Sequence, residues 1–292
     1  MTALTAAAAV LDRPPSARRI VVERSATGRR WLETDIDDRL NFDLCRAHDL
    51  PDMVGRLLLA RGVEGDDVPA FLEPRLRNSL PDPSRVADMD KAAGIIADAL
   101  VAGEIIGIIA DYDVDGTSSA ALLARYLKAI GARHALRIPE RMQDGYGPSD
   151  RLMADLADAG ARLVLVLDSG TTAFEVIAQA NARGQQVIVV DHHTPDDRLP
   201  DAAAIVNPNR RDDRSNLGSL AAVGVTFLLL VALNREARRR GFFASRPEPD
   251  LRSCLDLVAF GTVCDMVSLT GLNRVFVSQG LKIANGTARA GL

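Results

Sequence analysis

The chain has 292 residues, 47% of them hydrophobic and 25% charged, which is enough for one large domain with a smaller element and too apolar for a disordered chain. Its formal net charge of −4 excludes a global pull towards polyanions, so any nucleic-acid binding must use a local basic surface or bound cations. Three cysteines without CxxC spacing (Cys45, Cys254 and Cys264) exclude a disulfide framework or zinc knuckle and fit a reducing cytoplasm, and the longest apolar stretch, Leu220 to Leu233, falls short of the ~20 residues of a membrane span.

Residues 1–25 are Ala-rich, then Pro- and Arg-containing, and are expected to form a loose tail. Apolar residues from Leu50 to Phe71 recur at three- and four-residue spacing and predict short helices broken by Gly62 and Gly65, followed by a Pro-rich linker from Pro74 to Pro83. Residues 26–85 therefore read as a helical segment with its linker. A helix is predicted over Met89–Val101, then a buried strand over Ile105–Ala110 that ends in acids. The same order of apolar run, polar tip and helical segment recurs at Leu163–Leu167 before Asp168 and at Val187–Val190 before Asp191. Repeated βα units, with an aromatic share of only 4%, predict an α/β fold with a mostly parallel sheet flanked by helices over residues 86–270. Three carboxylate-bearing tips then share the sheet edge where ligands of such folds bind. Residues 271–292 read as the start of a further helix.

The first tip, Asp111-Tyr112-Asp113-Val114-Asp115-Gly116, packs three acids that repel one another, so a divalent cation is the natural occupant. An EF-hand loop also opens D-x-D-x-D-G, but its twelfth position requires Glu and is Leu122 here, and the element before it reads as a strand. A solvated acidic turn is the plain alternative. Asp168-Ser169-Gly170 matches the D-S/T-G of aspartic proteases by letters alone, since that chemistry needs two such aspartates; a helix N-cap is the structural alternative. Asp191-His192-His193 offers one imidazole as a ligand and one for substrate, with an acid to orient them. His48 and His134 lack such company and read as surface or packing residues. Gly261-Thr262-Val263-Cys264-Asp265 follows an apolar helical stretch from Leu251 and supplies another carboxylate; Cys264, among apolar neighbours, is expected to be a packed thiol.

Taken in order, DYDVDG, DSG, DHH and GTVCD resemble the four signature motifs of the DHH phosphoesterases. The stretches RSATGRRW, FLEP, IPERMQDGYGPS, IVNPNR and GLNRVFVSQGLK are similar to the RecJ branch of that family, from about residue 24 to the end. The resemblance implies a metal-dependent exonuclease that hydrolyses phosphodiester bonds of single-stranded DNA from 5′ to 3′ in DNA repair and recombination, with repair or single-strand-binding proteins as partners. It implies Asp111, Asp113, Asp168, His192 and Asp265 as metal ligands, with Asp168 bridging two ions, and Asp115 as a ligand or its support. His193 would contact the scissile phosphate, Asp191 would orient the histidine pair, and Arg141 would reach a substrate phosphate through its guanidinium fork. A mixed carboxylate and imidazole site favours Mn²⁺, then Mg²⁺, over zinc.

Ala110, Asp144, Ser169 and Ser268 stand where the family has Gly, Glu, Asn or Cys, and Pro; none is a proposed ligand. Members of the RecJ branch continue into a second, substrate-clamping domain and an OB-fold that this sequence does not reach. Without them Val275, Phe276 and Leu281 are expected to lack packing partners, and long single strands to be cleaved slowly. Two rival functions share the motifs: a DHH phosphoesterase acting on oligoribonucleotides, cyclic dinucleotides or pyrophosphate, against which RSATGRRW and FLEP argue, and a catalytically silent DHH binding module, against which the intact acids and histidine pair argue.

Overall fold

The computed structural model describes residues 18–286 and divides the chain into two compact units, Met1–Ser79 and Leu80–Leu292. In the first, β1 (Arg18–Val22) pairs antiparallel with β2 (Trp31–Thr34). The expected loose tail is thus corrected at its end, where β-branched Val21 and Val22 suit a ladder better than a coil; residues 1–17 lie outside the described residues. Helices α1 (Asp38–His48), α2 (Asp52–Leu59), α3 (Asp67–Leu72) and α4 (Leu76–Ser79) follow. The Asp37 carboxylate caps α1 by accepting from the Arg39 and Leu40 amides, and Leu44, Leu58, Leu59, Val63 and Val68 close a small core.

The second unit begins before the expected boundary at residue 86. Asp82 and Asp90 both pair with Arg235, and buried Pro83 and Val86 flank a 3₁₀ turn, so this stretch belongs to the larger unit's surface and is not a free linker. Helix α5 (Met89–Ala102) leads into β3 (Ile105–Ala110), and α6 (Val114–Ala129) into β4 (His134–Arg137). Then come α7 (Asp150–Asp158), β5 (Ala161–Leu167), α8 (Phe174–Ala182), β6 (Gln186–Val190) and β7 (Ala204–Val206). Three helices complete the unit: α9 (Ala222–Arg239), α10 (Leu255–Cys264) and α11 (Gly271–Ala284).

The five strands form one parallel sheet in the order β4-β3-β5-β6-β7. Both faces are covered, which is why the strands read as continuous apolar runs. Val164, Val166, Val187 and Val189 pack on one face with Leu152, Met153 and Leu156 of α7 and Ile177 and Ala180 of α8. On the other face α5, α6 and α9 lie against the sheet. Strands β4 and β7 were not legible in the sequence, being short edge strands, one half-buried and one of three residues. The segment after β6 also differs from expectation: it runs to β7 as a loop, with no helix between.

Helix α11 packs along α10, and Val275 and Phe276 are buried, the latter edge-on to Phe227 of α9 at 5.2 Å; only Leu281 stays exposed. The expectation that all three lack partners is therefore corrected. Cys264 is exposed, not packed, because α10 buries Leu255, Val258, Ala259 and Thr262 and turns Phe260, Val263 and Cys264 outward. Among the described residues no helix is long and apolar enough to cross a membrane.

Candidate metal centre

From β3 the chain moves outward to β4 and then returns past β3 to β5, so the sheet order reverses between β3 and β5. The crevice beyond the C-terminal ends of those two strands is where an open α/β sheet places a ligand. Asp111 follows β3, Asp168 follows β5 and Asp191 follows β6. The helix after β3 starts at Val114, within the acidic motif itself, because the Asp113 carboxylate caps it by accepting from the Gly116 amide at 2.9 Å. A Cβ on residue 116 would lie 2.4 Å from the Asp111 carbonyl oxygen, so glycine is what lets this helix begin so close to the strand end.

The early helix start carries Asp115 inward. Its two carboxylate oxygens accept from the Ala222 and Val223 amides at 2.6 and 2.8 Å, closing the N-terminus of α9, which has no cap of its own. Asp265 joins them as the residue that ends α10. Asp168 takes a left-handed backbone conformation at φ 58°, a cost tolerated here at a strand tip.

The ligand-type atoms gather into three overlapping groups, each within 4.8 Å: Asp111, Asp113 and Asp168; Asp168, His192 and His193; Asp115, His192 and Asp265. His192 Nδ1 lies 3.0 Å from the Leu220 carbonyl oxygen, which can only accept. The proton is thereby placed on Nδ1, and Nε2 turns its lone pair to Asp168 at 3.3 Å, Asp265 at 3.7 Å and Asp115 at 3.8 Å. Asp191 holds the histidine pair: one oxygen accepts from the His192 and His193 amides and from His193 Nδ1 at 2.7 Å, the other from the Thr171 amide.

Charge is concentrated here beyond what the protein itself neutralises. Burial, then the neighbouring Asp115 and Asp113, push the Asp168 carboxyl up to about 10. Burial raises Asp115 to about 6 and also raises Asp111 and Asp265. Asp191 is the exception: burial opposes ionisation, but hydrogen bonds from His193 and Thr171 outweigh it and hold the group at about 2. The same contact with Asp191 raises the His193 imidazole. Both Asp168 oxygens, His192 Nε2 and Asp265 Oδ2 are buried without a hydrogen-bond partner among the described residues. Buried acceptors without donors, converging on one point, fit divalent cations.

Of the residues singled out in the sequence, all but one converge here. Arg141 is exposed and its guanidinium lies 5.7 Å from the Tyr112 ring centre, outside the cluster. The departures from the family pattern are accommodated: Asp144 is gripped by Arg151 and accepts from the Glu140 amide and the Ser149 hydroxyl, and Ser169 bonds back to the Leu167 carbonyl. Sequence reading missed Tyr146, whose hydroxyl touches Asp168 and His193, and Asn207 and Asn209, whose side-chain amides donate to the His193 and His192 carbonyls. The quoted DGYG and NPN stretches held the signal, since Gly and Asn cluster where backbone must be fixed beside a site.

Fold and site together define a class: an open parallel α/β domain with a carboxylate and imidazole centre for divalent metal at its switch point. The chain belongs to the DHH family, whose N-terminal domain matches residues 105–262. It is 39% identical over 248 residues to the single-stranded-DNA-specific exonuclease RecJ of Salmonella typhimurium, an alignment covering 84% of this chain and 42% of that protein. Among solved structures it is similar to exonuclease RecJ bound to manganese, at 33% identity and a TM-score of 0.59 over 68% of this chain and 48% of the other. It is also similar to RecJ in complex with Mn²⁺ from Thermus thermophilus, at 28% identity and a TM-score of 0.69 over 87% of this chain and 34% of the other. The chain thus spans under half the length of these relatives.

Proposed function

We propose that this chain is the catalytic part of a divalent-metal-dependent exonuclease that hydrolyses single-stranded DNA from the 5′ end, working in the cytoplasm in repair and recombination. The observation that carries the reading is Asp168, central to the cluster, with two buried carboxylate oxygens and no donor for either among the described residues. Asp168 belongs both to the group with Asp111 and Asp113 and to the group with His192 and His193, which suits a carboxylate shared by two ions, with Asp265 completing the second position and Asp115 supporting it. Mn²⁺ is the preferred ion because imidazole joins the carboxylates, with Mg²⁺ second. When bound, the ions supply Lewis-acid activation of the phosphate and of water.

The chain's own residues do the rest. His192 is held by the Leu220 carbonyl so that one nitrogen stays free for a ligand's role. His193, kept protonated on Nδ1 by Asp191, presents a positive or proton-donating edge to a phosphate oxygen. Arg141, exposed and with its guanidinium 5.7 Å from the Tyr112 ring centre, would meet a neighbouring phosphate of the strand. The single strand as substrate, the polarity and protein partners rest on the RecJ likeness.

Calorimetric titration with Mn²⁺ tests the centre. Unmutated protein should bind two ions, and Asp168→Ala should lose two-ion occupancy; unchanged stoichiometry and affinity would overturn the assignment. Oligodeoxynucleotides labelled at either end test the activity, with mononucleotides expected first from the 5′ end. Preference for pyrophosphate or a cyclic dinucleotide would replace the substrate proposed here.

A further inference from the structure

The segment from Glu140 to Ser149 meets the centre through a side chain to which neither the motifs nor the metal cluster assigns a role. The Tyr146 hydroxyl lies 3.1 Å from the Asp168 carbonyl oxygen and 3.2 Å from His193 Nε2. Its ring meets the His193 ring edge-on, with centres 5.9 Å apart at 80°. The hydroxyl's one proton goes to the Asp168 carbonyl, which can only accept, so towards the imidazole the hydroxyl offers its lone pairs. His193 is thus held by Asp191 at Nδ1, while the Tyr146 hydroxyl, 3.2 Å from Nε2 and 3.5 Å from Nδ1, abuts the ring edge between the two nitrogens.

Tyr146 is itself anchored. Gly145 and Gly147 flank it at φ 78° and 75°, the Gly147 amide points to Asp111 Oδ1 at 3.4 Å, and two residues before it Asp144 is gripped by Arg151 and Ser149. With the backbone on either side of it held, the half-exposed Tyr146 ring is set against what it touches. What it touches is the backbone of Asp168, itself in a left-handed conformation, and the ring of His193.

We infer that Tyr146 is a positioning residue whose hydroxyl locks the His193 ring and the Asp168 backbone in register, so that the imidazole edge keeps its orientation towards the carboxylate cluster. It contributes no ligand atom. Its kinetic consequence rests on the nuclease reading above, but its structural consequence does not.

The test compares unmutated protein with Tyr146→Phe, which keeps the ring contact and loses the hydroxyl, and Tyr146→Leu, which loses both. Hydrolysis of a short 5′-labelled oligodeoxynucleotide in Mn²⁺ should show kcat reduced on the order of tenfold in Tyr146→Phe and further in Tyr146→Leu, with KM and Mn²⁺ affinity near those of the unmutated protein. In Mg²⁺-loaded protein, where no paramagnetic broadening intervenes, imidazole ¹⁵N resonances of the four histidines should show His193 shifted in Tyr146→Phe while His48 and His134 stay in place. An unchanged kcat, a loss confined to KM, or a parallel loss of Mn²⁺ affinity would each overturn the inference, the second by making Tyr146 a substrate contact and the third by making it scaffold. If unmutated protein leaves DNA intact, the nuclease reading fails, and the His193 resonances alone decide: an unmoved signal in Tyr146→Phe ends the positioning role.

Discussion

Replacing Asp168 by Asn should stabilise the metal-free protein while crippling metal binding. The Asp168 carboxyl is raised from 3.8 to about 10 by burial and by Asp115 and Asp113. A group whose folded pKa is raised stays neutral in the fold while the unfolded chain ionises, so folding loses stability as pH rises from 3.8 towards 10. At pH 7 only ~3 pH units of that interval have been crossed, which at ~1.36 kcal/mol per unit amounts to about 4 kcal/mol against the fold. Asn is neutral, similar in size, and tolerates the left-handed backbone at φ 58°. Asp168→Asn should therefore raise the melting temperature in EDTA at pH 7, by about 2–4 °C for each kcal/mol recovered. The advantage should shrink to about 1–2 kcal/mol at pH 5, where less of the interval has been crossed. Saturating Mn²⁺, by contrast, should stabilise unmutated protein by roughly 3 kcal/mol at a hundredfold excess over Kd, and the variant by much less. Scanning calorimetry at both pH values, with EDTA and with Mn²⁺, gives all four numbers. A lower melting temperature for the metal-free variant, or an undiminished response to Mn²⁺, would refute the view of Asp168 as a buried carboxylate awaiting cations.

Three further outcomes follow from other contacts. Asp191, held at about 2 chiefly by His193 against the opposing effect of burial, contributes stability that is present above pH 3.8 and lost as pH falls through about 2, so Asp191→Asn should cost about 2–3 kcal/mol in urea denaturation at pH 7 and clearly less at pH 2.5. A Cβ at Gly280 would come within 2.2 Å of the Leu255 carbonyl oxygen and 2.4 Å of Ala259 Cβ, so Gly280→Ala should push α11 off α10 at about 1–3 kcal/mol and weaken Mn²⁺ binding through Asp265 at the end of α10; unchanged melting would show that the helices separate freely. Arg141→Ala should raise KM for oligodeoxynucleotides and leave Mn²⁺ affinity alone, and an effect on metal affinity would place Arg141 in the centre itself.

The sequence by itself determined the βα alternation, because strands buried on both faces of a parallel sheet must be apolar throughout, and it marked the acidic tips because clustered carboxylates have no use in a packed fold without cations. Motif letters alone brought out Asp111, Asp113, Asp168, Asp191, the histidine pair and Asp265. Tertiary structure alone decided their division of labour. That Asp115 closes α9 through the Ala222 and Val223 amides depends on a helix more than a hundred residues away, and that His192 offers Nε2 depends on the Leu220 carbonyl. Strands β4 and β7 escaped notice because an edge strand of three or four residues is defined by its neighbour's ladder and carries little periodicity of its own. Phe276 and Cys264 exchanged their expected environments for a similar reason: composition shows that a helix is apolar, but which side meets α9 and α11 is settled only when the helices pack.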